Sequence, residues 1–365
     1  MNRIVIKVGT STLTRAGGPP DTDYIADLAA QVAAQQALGR SVVLVSSGAI
    51  RAGMDRLSLH GRPRSIPQKQ AAAAVGQGLL MHTYSEAFGA HGVPVAQVLL
   101  TRDDLRDRTR YLNARNTFAA LLGHRVVPIV NENDTVAVEE IKFGDNDTLA
   151  ALVASLTEAD ALVLLSDVAG LFDRDPTHDP DATLIPVVET IDRSTEQRAG
   201  GVRTGMGTGG MATKIQAAKI CASTNVTMYI ADGRRPNVIA DALAGLCGTK
   251  FLPKPTQLRQ RQRWIAYGVD PKGTVTVNDG AKQRLIDEGK SLLPAGVTHV
   301  SGHFQPGELV RLTDTQGHPF AQGFVNYGHA DLFRIMGRRT ADILPILGVK
   351  AGDEVIHRDN LVLDL

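Results

Sequence analysis

Cysteine is nearly absent from this chain of 365 residues, which contains only Cys221 and Cys247. Two are too few for a disulfide framework or a cysteine-built zinc site, and both sit among small apolar neighbours, so they read as reduced and structural. An excess of either charge is missing too: 39 basic residues stand against 38 acidic ones. Such a balance gives no bulk field with which to gather nucleic acid, and a charged partner must be met by a local arrangement. No stretch of 18 apolar residues occurs, which removes the pattern of a membrane-spanning helix. The chain enters the apolar run Ile4–Val8 directly, without the longer run of a signal peptide, and the expectation is a soluble, cytoplasmic protein with no membrane partner. At 43% hydrophobic it can still bury a substantial core, in two domains or in one large domain with an appendage.

What is there begins with short β-branched runs at Ile4–Val8, Ser41–Val45, Val93–Leu99, Val126–Val130, Ala161–Leu165 and Val226–Ile230. Helical patterns follow most of them, at Tyr24–Ala37, Gln70–Phe88, Tyr111–Leu122, Leu149–Leu156 and Ala212–Ser223. Strand–helix–strand repetition predicts an α/β fold with a mostly parallel sheet covered on both faces. Near residue 250 the character changes. Lys250 to Arg263 carries five basic residues, two prolines and no acid, which suits an exposed linker. Beyond it, Gly273–Val277, Val297–Ser301, Glu308–Leu312 and Phe320–Val325 read as short strands, with one helix at Ala281–Glu288 closed by Gly289. The expected organisation is a large α/β domain over 1–250, a basic linker over 251–267 and a small β-rich domain over 268–365.

Polar residues crowd where a core has no use for them. Asn131-Glu-Asn-Asp134 follows the run Val126–Val130, and Phe143-Gly-Asp-Asn-Asp147 precedes the helical pattern at Leu149. The carboxyl end of a strand and the start of a helix form a ligand-binding crevice in open α/β sheets, because the helix offers unpaired N–H groups there. A lone cap would need one residue, Asn146 or Asp147, and here several compete. Lys7 lies in the first apolar run, which exits into Gly9-Thr-Ser-Thr12; it must emerge at the strand's end or find an anionic partner, unless it is a surface lysine on an edge strand. The Walker A order of glycine, lysine and hydroxyl residue is missing. Gly200 to Lys214 is a glycine-dense loop, either a flexible linker or, since Thr208-Gly-Gly-Met-Ala-Thr-Lys214 runs into a helix start, a loop that closes over phosphate. Ser46-Ser-Gly-Ala49 and Ser166-Asp167 follow two further strands; the first is an ordinary helix cap or an anion contact, the second an ordinary turn or part of the same crevice.

Taken in order, Ile6-Lys-Val-Gly-Thr-Ser11, Ser46-Ser-Gly-Ala49, Asn131-Glu-Asn-Asp134, Gly144-Asp-Asn-Asp147, Ser166-Asp167 and Gly207-Thr-Gly-Gly-Met211 with Lys214 resemble the glutamate 5-kinases of the amino acid kinase family. The resemblance continues through Leu112-Asn-Ala-Arg115, and Ser291-Leu-Leu-Pro294 with the strands after it resembles a PUA domain. Ser166 stands where the family commonly has threonine, which keeps the hydroxyl, and Phe143 occupies a variable site.

The resemblance implies a three-layer αβα sandwich with a small PUA domain, and transfer of the ATP γ-phosphoryl group to the side-chain carboxylate of L-glutamate. Such an acceptor, with a pKa of roughly 4.3, is already an anionic nucleophile and needs no general base. The obstacle is repulsion between two anions, so catalysis consists of positioning and positive charge. Lys7 and Lys214 supply that charge in this correspondence, with Asp147 holding both. Asp134 meets the α-ammonium of glutamate, while Ser47 and Asn146 meet its carboxylates. Ser166 and Asp167 meet adenosine, and Thr208, Gly209, Gly210, Met211, Ala212, Thr213 and Lys214 meet the phosphates. Mg2+ is expected on the phosphates, held by ATP and water. The resemblance further implies a role in proline biosynthesis, inhibition by free proline, and a homo-oligomer, either dimer or tetramer. A related acceptor (aspartate, acetylglutamate, carbamate or a nucleoside monophosphate) is the alternative within the fold. RNA binding by the tail is the alternative outside it, and ten Lys/Arg against twelve Asp/Glu from Gly268 to Leu365 speak against that.

Overall fold

The computed structural model describes residues 1–14, 19–58, 63, 65–136, 146–176, 178–198, 210–253 and 271–363. Two compact units divide the chain, Met1–Thr256 and Gln257–Leu365. The first unit runs β1 (Arg3–Val8), α1 (Thr10–Leu13), α2 (Thr22–Ala37), β2 (Ser41–Val45), α3 (Ala49–Arg56), α4 (Ile66–Gly89), β3 (Val95–Leu100), α5 (Arg102–Arg106), α6 (Arg108–Gly123) and β4 (Val127–Glu132). It continues through α7 (Asp147–Leu156), β5 (Ala161–Ser166), β6 (Val187–Val188), α8 (Arg193–Arg198), α9 (Met211–Ser223), β7 (Thr227–Asp232), α10 (Val238–Leu243) and β8 (Thr249–Phe251). Each β-branched run read from the sequence falls on one of these strands, and each helical pattern falls on a helix.

Sheet order is β3-β4-β2-β1-β5-β7-β8-β6, parallel from β3 through β7, with β8 antiparallel to β7. Strand β1 lies inside the sheet, hydrogen-bonded to β2 and β5, with Lys7 opposite Val45 on one side and Leu164 on the other. The side-chain period of two then sorts β1 by face. Ile4, Ile6 and Val8 are fully buried in one core with Leu28 and Val32 of α2 and Leu80, Tyr84 and Phe88 of α4. Each such aliphatic chain contributes about 1.5–3 kcal/mol by burial. The odd residues, including Lys7, face the opposite layer, where α7 and α9 pack together. The result is the αβα sandwich.

Helix α3 is short, and besides burying Ala49, Ala52 and Met54 it packs by the absence of side chains at glycine. A Cβ on Gly53 would lie 1.9 Å from the Ala72 carbonyl oxygen, and one on Gly76 would lie 1.8 Å from the Ala49 carbonyl oxygen. Helices α3 and α4 therefore touch backbone to backbone. The last two strands of the sheet, β6 at the edge and β8 beside it, are two and three residues long, too short to carry a readable period.

The second unit consists of β9 (Gly273–Val277), α11 (Asp279–Asp287), β10 (Val297–Gly302), β11 (Leu309–Thr313), β12 (Pro319–Phe324), α12 (His329–Ile335), α13 (Ile343–Leu347) and β13 (Leu361–Leu363). Its sheet order is β10-β9-β11-β12-β13, mostly antiparallel. Asn278 caps α11 by accepting from the Ala281 N–H at 2.8 Å. Gly289, at φ +59°, leads the chain away after the helix. A core of its own, with Val275, Leu285, Val310, Leu312, Leu332 and Ile356 among its members, holds this unit together.

Candidate active site

Parallel strands end together, and the loops beyond them are tied by further backbone bonds. Gly9 N–H donates to the Leu165 carbonyl at 3.3 Å, Ser46 N–H to Val130 at 2.8 Å, and Gly233 N–H to Ser166 at 2.8 Å. The sheet thus carries the ends of β1, β2, β4, β5 and β7 into one rim. Asn146 and Asp147 open α7, and Gly210 precedes α9. Neither helix, of ten and thirteen residues, has a side-chain cap, and neither has α3, whose N-cap Gly48 sits at φ +93°. Elsewhere in the unit, α2, α4, α5 and α6 are capped by Asp21, Ser65, Thr101 and Asp107. Uncapped starts leave N–H groups and the positive end of the helix dipole for an anion.

Asp147 is fully buried and joins the two lysines. Its Oδ1 accepts from Lys7 Nζ at 2.5 Å, and its Oδ2 accepts from Lys214 Nζ at 3.0 Å and from Thr213 Oγ1 at 3.2 Å. Lys7 and Lys214 are themselves only 5% and 6% exposed, so both ammonium groups are almost wholly removed from water. Burial pushes the Asp147 carboxyl up, and the charges and hydrogen bonds of Lys7 and Lys214 more than reverse this, holding it at about 2. It is a carboxylate at neutral pH. Two ammonium groups share it, so this trio carries one positive charge in excess, in a setting where charge interactions are strong.

Beside the trio lies a chain of amides. Asn146 Nδ2 reaches the Ser46 carbonyl at 2.6 Å, Ser47 Oγ at 3.1 Å and Asn131 Oδ1 at 2.8 Å. Asn131 Oδ1 also accepts from the Glu132 N–H at 2.9 Å, and its Nδ2 donates to Gln77 Oε1 at 2.9 Å. The Asn146 side chain is therefore no helix cap; it ties the ends of β2 and β4 to α7. Ser47 likewise caps nothing. Ser46 Oγ lies 2.9 Å from the hydroxyl of fully buried Tyr84, whose ionisation burial suppresses.

Lys7, Ser47, Asn146, Asp147, Thr213 and Lys214, far apart in sequence, are brought together. Ser166 is buried at the end of β5, its hydroxyl donating to Asp167 Oδ1 at 3.1 Å. Asp134 follows β4 in the turn closed by the Val136 N–H on the Asn133 carbonyl, 3.1 Å. Gly210, Met211 and Ala212 form the start of α9. Thr208, Gly209, Phe143 to Asp145 and the linker arginines at 259, 261 and 263 lie outside the described residues. Sequence reasoning missed Gln77 and Tyr84, which sit in a long helical pattern; the only hint was a glutamine directly after Gly76 in a run of alanine and glycine. The cysteines form no disulfide, and Cys221 is fully buried, which pushes its thiol pKa up. Among the described residues no helix is long and apolar enough to cross a membrane.

The chain matches the model of the amino acid kinase family over residues 2–232 and that of the PUA domain over 273–347. It is 51% identical to the glutamate 5-kinase of Geobacter sulfurreducens over 364 residues, covering all of this chain and 98% of that protein. To the glutamate 5-kinase of Moorella thermoacetica it is 52% identical over 362 residues, covering 99% and 96% of the two chains. Its fold resembles that of carbamate kinase from Giardia lamblia bound to AMP-PNP, with a TM-score of 0.51 at 19% identity, over 69% of this chain and 99% of that one. Full-length identity, family match and fold agree: the chain belongs to the amino acid kinase family and carries a C-terminal PUA domain.

Proposed function

We propose that the chain transfers the γ-phosphoryl group of ATP to the side-chain carboxylate of L-glutamate, giving L-glutamyl 5-phosphate and ADP, the first step of proline biosynthesis. The observation that carries this is the pair Lys7 and Lys214 held on opposite oxygens of buried Asp147. A γ-carboxylate is ionised at neutral pH and attacks phosphorus directly, breaking the bond to the β-phosphate bridging oxygen; no proton needs to move. Lys7 and Lys214 offset the repulsion between acceptor and triphosphate and stabilise the charge on the moving group. Asp147, kept ionised, fixes where the two ammonium groups point. Thr213 steadies it from α9.

Asp134 takes the α-ammonium of glutamate, and Ser47 and Asn146 its carboxylates. The N–H groups from Gly210 to Lys214, with Thr208 and Gly209, take the phosphates, and Ser166 and Asp167 the adenosine. Mg2+ would arrive with ATP as the counter-ion of its phosphates, where it would offset their negative charge. The catalytic part spans 1–250, the linker 251–267 and the PUA-like part 268–365. Free proline competes with glutamate, and the enzyme works in the cytoplasm as a dimer or tetramer.

The test is ADP release with and without L-glutamate, with hydroxylamine present to trap the acyl phosphate. Glutamate-dependent ADP and a hydroxamate are expected. ADP release with aspartate or carbamate but not with glutamate would reassign the acceptor.

A further inference from the structure

Gln77 lies in α4 immediately after Gly76, where that helix presses on the first turn of α3, just beyond Ser46-Ser47-Gly48. The close approach of the two helices delivers Gln77 to the amide chain described above. Its orientation follows from backbone groups whose polarity is fixed. The Ser46 carbonyl only accepts, so Asn146 must present Nδ2 there, 2.6 Å away. The Glu132 N–H only donates, so Asn131 must present Oδ1, which Asn146 Nδ2 also meets, at 2.9 and 2.8 Å. Asn131 therefore turns Nδ2 to Gln77, and Gln77 must answer with Oε1, 2.9 Å away. All three amides are locked. Gln77 Nε2 then faces away from Asn131, and it is buried with no hydrogen-bond partner among the described residues. A buried donor without an acceptor is costly, and its natural partner is an oxygen of a bound molecule.

From this geometry we infer that Gln77 is a substrate-binding residue whose Nε2 donates to the α-carboxylate of the acceptor. The proposal rests on glutamate being that acceptor. Asp147, with its lysines, marks the end where phosphoryl transfer occurs, and Asn146 is its chain neighbour. The amides run from Asn146 through Asn131 to Gln77, which is thus two hydrogen bonds removed from the neighbour of Asp147. Gln77 accordingly reads the part of the substrate remote from the reacting carboxylate.

Gln77→Glu isolates the donor, because it keeps an oxygen for Asn131 and replaces only the N–H group, with a negative charge facing the substrate. The measurements are KM for L-glutamate, KM for ATP, and kcat/KM for L-glutamate against its α-amide, isoglutamine, which keeps the reacting carboxylate. We expect KM for glutamate to rise by about tenfold or more, as befits loss of a hydrogen bond to a charged group. KM for ATP stays within about twofold, and the preference for glutamate over isoglutamine falls by about tenfold. An unchanged KM for glutamate overturns the proposal, as does an equal loss on both acceptors, which is what a merely structural role would give. Should Gln77→Glu fail to fold, Gln77→Met, similar in size and without the amide, is judged on the same acceptor ratio. A wild-type enzyme that releases no ADP with glutamate would sink the proposal together with the assigned reaction, and that result is distinct from a normal wild type with an indifferent variant.

Discussion

Asp147 in the first unit and Asp314 in the second both have a pKa lowered to about 2, and they reach it by different routes. Asp314 sits in the turn between β11 and β12. Its carboxylate takes a hydrogen bond from Lys282 Nζ at 2.9 Å, and from the N–H groups of His318 and Gln316 at 2.9 and 3.0 Å. Two of these partners lie within four residues of it, and the Lys282 side chain is 32% exposed. That is a turn that stabilises itself locally, Asp314 being covered by its own near neighbours while residues 315–319 are exposed. Asp147 collects Lys7 from β1 and Lys214 and Thr213 from α9, all against the cost of burial. Replacing a buried ionic cluster by apolar groups is often neutral or stabilising, so fold stability gives little reason to keep one. The difference teaches where to look for chemistry: in the carboxylate whose low pKa is assembled from distant segments against desolvation.

The comparison predicts its largest effect at the two aspartates themselves. Asp147→Asn leaves two buried ammonium groups without their counter-charge and should cost about 3–5 kcal/mol in a urea titration. Asp314→Asn should shift the midpoint far less, and an equal shift would erase the distinction. Next come the lysines: Lys7→Met and Lys214→Met should each slow glutamate-dependent ADP release by about 10²–10³-fold, roughly 3–4 kcal/mol. Both should leave thermal stability unchanged or raised, since one buried charge pair remains. Lys282→Met should leave the rate within about twofold, as a partly exposed pair contributes little.

Two glycines sharpen the contrast at smaller scale. Gly76→Ala forces a Cβ to 1.8 Å from the Ala49 carbonyl oxygen, and Gly323→Ala forces one to 2.7 Å from Ile356 Cγ2. Overpacking should cost each about 1–3 kcal/mol, yet only Gly76→Ala should raise KM for glutamate, because α3 starts directly after Ser47 and Gly48. The smallest effect concerns acid. Both carboxylates ionise more readily in the folded chain than at the ordinary value of 3.8, so their contribution is complete above about pH 4 and disappears as pH falls through about 2. Urea midpoints measured across that window should decline with falling pH, and less steeply in Asp314→Asn. A flat profile in the wild type would contradict both assignments.

Much of the scaffold was legible because it rests on local signals. Runs such as Ser41–Val45 and Ala161–Leu165 carry the uniform apolarity of strands buried on both faces, and the patterns behind them have helical length. The place of Gln77 in the amide chain was not legible: nothing local separates a glutamine bonded to Asn131 from one facing water on a long helix. Helix α3 was hidden as well, since its contact with α4 depends on missing Cβ atoms at Gly53 and Gly76. Asn146 could be read either as a cap or as a site residue; its side chain makes no cap bond and reaches the Ser46 carbonyl at 2.6 Å instead, across 100 residues of chain.

By itself the sequence determined the alternation of strands and helices, the change of character near residue 250, and the placement of lysine, asparagine and aspartate at strand and helix ends. These are properties of short segments, set by side-chain period and by the backbone's need for caps. Tertiary structure alone decided that Lys7 and Lys214 meet on one carboxylate and which way each amide beside them turns. Distances between residues 67 and 140 positions apart are set by the parallel register of the sheet and the packing of α7 against α9, and no local pattern encodes them.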